Sequence, residues 1–317
     1  MQINVQNIPE GLEEGLWRLK IGGVKEQSRN GPVIAAPEPV HISIQRPWER
    51  VLTDPVRNAN PFFHLAEFIW MMSGSNDVRF IEHYNARMRE YADFGTDVHH
   101  GAYGHRWRKH FGLDQIQQCR RILHEGGGSR RAYIAMWDPR TDLEPHNDLP
   151  CNVGIGLRIL YGVRLDFTLF NRSNDLVWGC LGANAVHMSY LHELLARSLG
   201  LKQGTYHVCS NNLHVYPEVK VVSDLLYPSV AVEDAYRSRR NQMSVVPVLA
   251  EGEALEEFLM DAENYIAGSS AIHCQWFHKV FLPAMRSFEG RKLVPEFVDC
   301  DWRIACGEWI ERRVKHS

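Results

Sequence analysis

The sequence predicts a mixed α/β fold, and two kinds of pattern lead to this prediction. Short runs rich in β-branched residues, separated by turn residues such as Tyr161-Gly162, are typical of strands and occur over 153–160 and 163–170. A longer segment over 185–199 has apolar residues at helical spacing and ends before Gly200, a common signal for the end of a helix. Elements of both kinds occur throughout the chain.

The remaining elements are predicted in the same way. Residues 1–28 are expected to form a polar lead-in with one amphipathic patch around Leu12 to Leu19. The turn Arg29-Asn30-Gly31-Pro32 precedes strands over 33–44, whose proline content predicts edge strands. Residues 61–74 are apolar on nearly all sides and predict a buried helix. Further helices are predicted over 80–93, 116–124, 251–267, 272–288 and 302–313, and further strands over 132–137 and 205–209.

The length of 317 residues could hold two average domains, but one catalytic body with insertions is the default for a mixed α/β chain. A hydrophobic content of 44% is enough for a sizeable core. We expect a lead-in over 1–28, a catalytic domain over 29–245, and a C-terminal helical extension over 246–317 that packs on the same body.

Charge and composition exclude several classes of protein. The net charge of −3 provides no general basic field, so a nucleic-acid polymer is not an expected partner, whereas a mononucleotide is. The N-terminus lacks the charged start and apolar stretch of a signal peptide, and no segment approaches the ~20 apolar residues of a membrane span. We therefore expect a cytoplasmic protein with no membrane partner.

The seven cysteines are scattered, and no CxxC pair occurs. In a reducing compartment they are expected to be free thiols, six of them serving as packing residues. The histidines around His99 and His100 lack an HExxH or comparable spacing, so we predict no metal site. The chemistry is predicted at Cys151, because its neighbours and the later motifs form a set.

That set begins with Leu149-Pro150-Cys151-Asn152 and continues through Arg172-Ser173-Asn174-Asp175, Gly182-Ala183-Asn184 and His214-Val215-Tyr216. It provides a thiol, an arginine that can bind an anion, an amide that can read a base, and a pair that can bind a hydroxyl group. Guanidinium groups match phosphate oxygens in pairs. Together these residue types suit a nucleophile that acts on a nucleotide.

The order and spacing of these pieces, from about Arg29 to Tyr216, resemble the thymidylate synthase superfamily, which includes the pyrimidine-nucleotide hydroxymethylases. Two further motifs carry the resemblance: Glu67, Trp70 and Gly74 in a Glu-x-x-Trp-x-x-x-Gly pattern, and Tyr103-Gly-x-x-Trp107-Arg108. The resemblance implies a thymidylate synthase-like mixed sheet with surrounding helices, and the C-terminal helices of this chain are extra to it.

The resemblance also implies a role for each matching residue. Cys151 is the expected nucleophile, Glu67 runs a network of proton-relay waters, and Tyr103 lies near the nucleotide. Asp175 faces the pterin and the water network, and Trp107 is assigned to the cofactor site. The residues expected to bind substrate are Arg29, Arg130, Arg131, Arg172, Ser173, Asn184, His214 and Tyr216. Of these, Arg130 and Arg131 would cross the interface of a homodimer to reach the partner's phosphate.

Each of these residues also has a purely structural interpretation. Glu67 could be a buried carboxylate satisfied by hydrogen bonds. Arg29, Arg130 and Arg131 could be solvated surface charges. A His-x-Tyr pair alone is a weak signal, and its two side chains share one face of a strand in any case. The functional interpretation depends on the joint occurrence of the motifs in one order.

The implied chemistry is the transfer of a one-carbon unit to carbon 5 of a pyrimidine. A thiolate that adds to carbon 6 makes carbon 5 nucleophilic toward 5,10-methylenetetrahydrofolate, and covalent catalysis of this kind splits one hard step into easier ones. A free thiol titrates near ~8.5, so a neighbouring positive charge is needed to populate the thiolate. Arg172 is the candidate for that charge.

Several departures from the synthase pattern favour hydroxymethyl transfer over methyl transfer. Asn152 replaces the usual histidine after the nucleophile, and Met88 and Tyr91 stand where a Trp-x-x-Trp pair packs the folate. The chain ends in a charged segment over 311–317 rather than in a small apolar tail. Less shielding around the folate would admit water.

The spacing from Gly179 is one residue longer than in synthases, so Ala183 or Asn184 could hold the position of the base reader.

We therefore expect a homodimeric dUMP hydroxymethylase. The asparagine favours uracil over cytosine, since an aspartate would suit cytosine better. The alternatives left open are a thymidylate synthase, a dCMP or CMP hydroxymethylase, and a non-catalytic nucleotide- or RNA-binding relative. A cysteine hydrolase with His187 or His207 as its base is a further alternative, although it leaves the arginines unexplained.

Overall fold

The computed structural model describes residues 1–126, 128–229 and 231–314. Its strands are β1 Gln2–Val5, β2 Val24–Ser28, β3 Gly31–Ala35, β4 Val40–Ile44, β5 Tyr133–Ala135, β6 Asn152–Leu160, β7 Arg164–Asn171, β8 Asn174–Asp175, β9 Lys202–Ser210 and β10 Leu213–Val215. Its α-helices are α1 Ile8–Gly22, α2 Pro61–Met72, α3 Val78–Ile81, α4 Tyr103–His105, α5 Gln115–Glu125, α6 Asn184–Ser198, α7 Lys220–Leu226, α8 Ala235–Ser238, α9 Leu255–Ile266, α10 Leu282–Gly290 and α11 Asp301–Val314. A 3₁₀ segment covers Ala86–Tyr91, and π-helical turns cover Arg106–His110, Leu176–Ala183 and Phe277–Phe281. In the described ranges, no helix is long and apolar enough to cross a membrane.

The larger sheet has six strands in the order β1-β4-β9-β7-β6-β5. The β1–β4 and β7–β9 pairs are parallel, and the other pairs are antiparallel. The predicted mixed α/β fold is thus confirmed. β6 begins at Asn152, directly after Cys151, and β7 ends at Asn171, directly before Arg172, and these two strand ends are paired. The sheet therefore brings the nucleophile and the arginine to the same edge.

A second sheet of four strands, in the order β2-β3-β10-β8, forms the other wall of the site. The turn between β2 and β3 contains Arg29. β10 pairs with β3 on one side and with β8 on the other, which aligns His214 with Asp175. Three residues that are far apart in sequence are thus joined by one small sheet.

The main core lies between α2, α6 and the larger sheet. Every residue of α2 is buried, as its apolar sequence predicted. Phe68 of α2 stacks on Tyr190 of α6, with ring centroids 4.6 Å apart. α6 ends near Gly200, whose φ of +68° fits the predicted end signal. The helix is buried along most of its length because it packs against β7 and β9.

The C-terminal helices pack on this same core. Phe258 of α9 and Trp276 each lie 5.9 Å from the Phe68 ring, and Trp302 of α11 stacks on Tyr190 at 6.0 Å. Aromatic pairs of this kind add to the stability gained from burial alone. Residues 315–317 of the predicted charged end lie outside the described residues, as does Gly127 in the loop after α5.

Three details of the predicted elements were wrong. Residues 1–28 are not a polar lead-in, because β1 pairs with β4, β2 pairs with β3, and α1 buries the patch around Leu12. The strands over 33–44 are interior rather than edge strands, because the lead-in supplies the strands beside them. The helix predicted over 80–93 is broken into α3 and a 3₁₀ turn, and Asn85 caps the latter through its side chain.

Candidate active site

A cavity of about 930 Å³ lies between the two sheets. It is lined by Glu26, Gln27, Ser28, Arg29, Asn30, Val33, Arg87, Tyr91, Leu149, Cys151, Arg172, Ser173, Asp175, Trp178, Asn212, His214, Tyr216 and Val219. Seven of the residues singled out in the sequence are among them. The volume falls at the upper end of the range of roughly 300–1,000 Å³ that is usual for small-molecule sites.

Cys151 is held in place through its backbone. The hydroxyl oxygen of Tyr103 accepts hydrogen bonds from the backbone N–H groups of Cys151 and Asn152, at 3.2 and 3.3 Å. The backbone oxygen of Cys151 accepts from the backbone N–H of Arg172 at 3.0 Å. Tyr103 itself does not line the cavity, so it acts from behind the nucleophile.

The electrostatic setting of the thiol combines opposing effects. Burial raises the pKa of the Cys151 thiol, and the charges of Arg172 and Arg29 counteract that rise. The carboxylates of Asp148 and Asp175 add to it. The expected influence of Arg172 on the thiolate is therefore present, but burial outweighs it.

Three residues make one end of the cavity suitable for an anion. The Nε and Nη2 atoms of Arg172 donate to the backbone oxygens of Pro150 and Leu149, at 2.9 and 3.2 Å. These contacts fix the guanidinium beside Cys151 while its other donors face the cavity. Arg29, in the exposed turn between β2 and β3, and Ser173 line the same space. Guanidinium and hydroxyl donors of this kind match phosphate oxygens.

The predicted hydroxyl-binding pair also lies in the cavity wall. The rings of His214 and Tyr216 are 5.3 Å apart and almost perpendicular. His214 Nδ1 lies 2.8 Å from the side-chain oxygen of Asn212, which leaves Nε2 for a ligand. Burial lowers the pKa of His214, so the ring is neutral near pH 7. Because the amide oxygen of Asn212 can only accept, the ring proton is on Nδ1, and Nε2 can accept a hydrogen bond from a sugar hydroxyl.

Asp175 caps the π-helical turn that follows it. Its Oδ1 atom accepts from the backbone N–H groups of Val177 and Trp178, at 2.8 and 2.7 Å. Burial raises the pKa of Asp175 to about 6, and these two hydrogen bonds oppose the rise. Its second oxygen, Oδ2, is buried without a hydrogen-bond partner among the described residues. That oxygen has almost no exposed surface, so a ligand reaches it only after the cavity wall around it shifts.

The segment Leu176–Ala183 leads from Asp175 to Asn184 and is kinked, because Leu181 and Gly182 have non-helical backbone angles. It covers the place where the sequence is one residue longer than the family pattern. Asn184 follows it at the start of α6, with its Nδ2 atom 3.5 Å from Asn174 Oδ1. Gly179 allows this approach, because a Cβ atom there would lie 2.4 Å from Asn174 Oδ1. Asn184 is half-buried and does not itself line the cavity.

Glu67 lies on α2 and is linked to Cys151 through Asp148, whose charge acts on both groups. Glu67 is 9% exposed, and its Oε2 atom is buried without a hydrogen-bond partner among the described residues. Burial raises the pKa of Glu67 to about 8, and the nearby charge of Asp148 adds to the rise. The interpretation of Glu67 as a carboxylate satisfied by hydrogen bonds therefore does not fit Oε2. A carboxyl group with a pKa near 8 can give up or accept a proton at neutral pH.

Three predicted residues lie apart from this group. Arg130 and Arg131 are exposed and do not line the cavity, and neither guanidinium makes an ion pair or hydrogen bond within the described ranges. Trp107 is fully buried and stacks behind Tyr103, with ring centroids 6.5 Å apart. With 0% exposure it offers no surface to a cofactor.

Asp93, His100 and His146 bring possible metal ligands within 4.8 Å of one another. The two imidazole rings are stacked, with centroids 3.6 Å apart and nearly parallel planes. Each ring is also hydrogen bonded, His100 to Asp142 at 2.7 Å and His146 to Asp93 at 2.9 Å. We assign this group as a hydrogen-bonded pair that joins two loops.

Several residues of the site were missed in the sequence. Asn171 donates to Asn152 through a side-chain hydrogen bond beneath Cys151, and Asn174 orients Asn184. Asp148 accepts from the backbone N–H of Gly101 at 3.0 Å and faces the nucleophile and Glu67. Asparagines and aspartates are common in turns, so nothing in their local sequence marked them.

Comparison with known proteins agrees with this geometry. Residues 56–247 match the family model described as thymidylate synthase. A deoxyuridylate hydroxymethyltransferase of Pseudomonas phage M6 is 40% identical, over 98% of this chain and 94% of the phage protein. Proteins of the same name from Bacillus phage SP01 and Delftia phage PhiW-14 are 32% and 33% identical, over 59% and 68% of this chain and 52% and 62% of their own length. The resemblance inferred from the motifs is thus confirmed, and the chain belongs to the thymidylate synthase family.

Proposed function

We propose that this protein is a deoxyuridylate 5-hydroxymethyltransferase that uses 5,10-methylenetetrahydrofolate and a covalent adduct at Cys151. The observation that carries the proposal is that Cys151 opens into one cavity with Arg172 and His214, which suit the two ends of a nucleotide. Support also comes from the phage M6 protein of that name, which aligns with nearly the whole chain.

The two sheets would hold the nucleotide from both sides. Arg29, Arg172 and Ser173 would bind the phosphate, and His214 with Tyr216 would bind a hydroxyl of the sugar. Cys151 and Arg172 adjoin paired strand ends. A nucleotide whose phosphate is bound by Arg172 would therefore lie next to the Cys151 sulfur atom. Such positioning converts an encounter between two molecules into a reaction within one complex.

Cys151 would then act as the nucleophile. Its sulfur forms a bond to carbon 6 of the pyrimidine, the thiol proton leaves, and the electron pair of the ring double bond moves to carbon 5. Tyr103 keeps the backbone of Cys151 fixed during this step, and Arg172 favours the thiolate. Carbon 5 would receive the one-carbon unit and lose its proton, and tetrahydrofolate would be released. Elimination of the sulfur at the end restores the ring double bond.

Asn184 is the proposed reader of the base. Its amide has both a donor and an acceptor, which suits the carbonyl and ring N–H of uracil. Asn174 holds one edge of that amide. After the kink at Leu181 and Gly182, α6 begins at Asn184 rather than at Ala183.

The folate fits the part of the cavity that the nucleotide leaves free. Tyr91 and Trp178 line it and offer aromatic faces, and both are about two-fifths exposed, at 42% and 39%. After a shift of the cavity wall around it, the unpartnered Oδ2 atom of Asp175 can accept a hydrogen bond from a pterin N–H. When bound, the cofactor supplies the one-carbon unit. Trp107 would serve only as packing behind Tyr103.

The exposed positions of Tyr91 and Trp178 favour a reaction completed by water. Glu67 would accept a proton from the water that attacks the methylene group attached to carbon 5. A wall that excludes solvent would instead favour reduction of that group to methyl. Partial exposure of this wall is the structural reason to place hydroxymethyl transfer ahead of methyl transfer.

We further propose that the enzyme is a homodimer. One face of the larger sheet carries partly exposed residues in register across four strands, among them His41, Cys209 and Phe170. Tyr133 lies on β5, which pairs with β6 in the same sheet, and it is 48% exposed. Two copies packed through this face would bury it and would give Arg130 and Arg131 a partner site to reach.

The test is to identify the product. The protein is incubated with dUMP, dCMP, UMP or CMP plus methylenetetrahydrofolate, and nucleotides are analysed by mass spectrometry while dihydrofolate is followed by absorbance. Hydroxymethyl-dUMP without dihydrofolate is expected. Methyl product with dihydrofolate would make the protein a thymidylate synthase, and no product with any nucleotide would favour a binding protein.

A further inference from the structure

His187 of α6 lies directly beside the proposed water-activating residue. Its Nε2 atom is 3.5 Å from Glu67 Oε2 and 3.1 Å from the backbone oxygen of His64. The His187 residue is 0% exposed, so no bulk water separates the two side chains. The chemistry described above gives this histidine no role.

Two polar atoms at this contact are enclosed and lack a hydrogen-bond partner among the described residues, Glu67 Oε2 and His187 Nδ1. Leaving such atoms unpaired costs free energy, so they are usually found where a site has another use for them. The imidazole Nε2 atom is thus the polar side-chain atom that approaches the unpaired oxygen of Glu67 in an ion-pair contact among the described residues.

The titratable and charged groups around the contact come from three parts of the fold. They are His64 on α2, Asp148 in the loop before Cys151, and Arg57 in the segment before α2, which faces His64. Burial lowers the pKa of His187 to about 3, and it also lowers the pKa of His64. Both rings are thus neutral, and Asp148 is the nearby charge that acts on Glu67.

We propose that His187 is a positioning residue for Glu67, holding the Oε2 side of its carboxyl group so that Glu67 can take a proton from the attacking water. This inference rests on the proposed hydroxymethyl transfer and adds a residue to it. In the step concerned, the water oxygen bonds to the methylene carbon, one water proton passes to Glu67, and the electron pair returns through carbon 5 to expel the Cys151 sulfur.

The neutrality of His187 explains why a histidine suits this position. A lysine or arginine at 3.5 Å would lower the pKa of the carboxyl group and fix it in the ionised form. The single N–H of the neutral ring, at Nε2, donates to the His64 backbone oxygen at 3.1 Å and lies 3.5 Å from Glu67 Oε2, so it can orient the carboxyl group while the pKa of Glu67 remains near 8. Glu67 then still exchanges protons near neutral pH.

His192 on the same helix is the matched control. It is also fully buried, burial also lowers its pKa to about 3, and its Nδ1 atom is likewise unpartnered among the described residues. However, its Nε2 atom bonds the backbone oxygen of Leu165, and its ring stacks on Phe167 at 5.2 Å. No described carboxylate forms an ion pair or hydrogen bond with it. It represents a buried histidine whose role is packing.

The experiment compares His187→Leu, His187→Gln and His192→Leu with the wild type. The readouts are dUMP affinity by calorimetry and the pH profile of the turnover number for hydroxymethyl-dUMP. His187→Leu should lower turnover by about tenfold or more, because Glu67 loses the polar N–H that lies 3.5 Å from its Oε2 atom. It should also move the rising limb of the profile to higher pH, because the Glu67 carboxylate loses a donor. Affinity for dUMP should change by less than about twofold.

His187→Gln, which can still place an N–H near Glu67, should recover most of the turnover and the wild-type pH profile. His192→Leu should lower thermal stability but leave the profile in place. An unchanged profile in His187→Leu, or the same profile shift in His192→Leu, would overturn the proposal.

Two further outcomes are distinguishable. If the wild type makes no hydroxymethyl product, the proposed function itself fails. If His187→Leu does not fold, the double-mutant cycle of His187→Met, which also lacks the N–H, with Glu67→Gln decides: non-additive losses of turnover support the coupling, and additive losses contradict it.

Discussion

The hydroxyl oxygen of Tyr103 lies 3.2 Å from the backbone nitrogen of Cys151 and accepts its hydrogen bond. The same oxygen accepts from the next residue, Asn152, where β6 begins. One side chain from α4 thus fixes the start of the strand that presents the nucleophile. The position of the sulfur depends on a group that never enters the cavity.

Tyr103→Phe should therefore impair catalysis while the fold is retained. Two backbone donors lose their acceptor, at a cost of about 1–3 kcal/mol, which corresponds to a loss of roughly tenfold to a hundredfold in kcat. Steady-state kinetics and the rate of Cys151 alkylation would measure it. Tyr161→Phe, at an exposed hairpin turn, is the control and should behave as the wild type. Equal kinetics of the two variants would contradict the role of Tyr103.

Glu67 gives a prediction about stability and pH. Its pKa in the folded protein, about 8, is above the ordinary value of 4.5, so the folded state binds more protons between these values. Stability should therefore fall as pH rises from 4.5 to 8, by an amount on the order of a few kcal/mol. Glu67→Gln should remove that part of the pH dependence. Urea unfolding at the two pH values measures it, and Glu125→Gln, on the surface, should change nothing.

Gly179 should be intolerant of even one methyl group. A Cβ atom there would meet Asn174 Oδ1 at 2.4 Å and Asn184 Nδ2 at 3.3 Å, which displaces the proposed base reader. Gly179→Ala is expected to weaken dUMP binding on the order of tenfold. Calorimetry measures the affinity, and Gly22→Ala, which meets no atom within 4 Å, is the control. Unchanged affinity would mean that Asn184 does not read the base.

The proposed crossing of Arg130 and Arg131 predicts complementation between two inactive proteins. One carries Cys151→Ser, and the other carries Arg130→Ala with Arg131→Ala. If the arginines serve the partner's site, mixed dimers contain one complete site and regain up to about half of the activity per dimer. If the arginines act in the site of their own subunit, or in no site, mixing the two variants after reversible dissociation restores no activity. Mixing two samples of the same variant is the control.

The sequence predicted the site better than the outer parts of the fold. Cys151, Arg172 and His214 stand in short motifs with a fixed order, and the structure brings them to one cavity. β1 and β2 were missed because their pairing with β4 and β3 is decided by distant residues, not by local preference.

The role proposed for His187 could not be predicted in the same way. A single histidine in an amphipathic helix is indistinguishable from the packing histidine His192 until its neighbours are known. The contact with Glu67 joins two helices that are far apart in the chain. By contrast, the extra residue before Asn184 could be counted in the sequence, and it falls in the kinked segment Leu176–Ala183.

The central claim is that water completes the reaction at carbon 5. The most direct measurement is mass spectrometry of the product formed from dUMP and methylenetetrahydrofolate in water labelled with heavy oxygen, with Cys151→Ser as the control. We predict hydroxymethyl-dUMP that carries the heavy oxygen, no dihydrofolate, and no product from the variant. A methyl product accompanied by dihydrofolate, or a hydroxymethyl product formed equally by Cys151→Ser, would contradict the account.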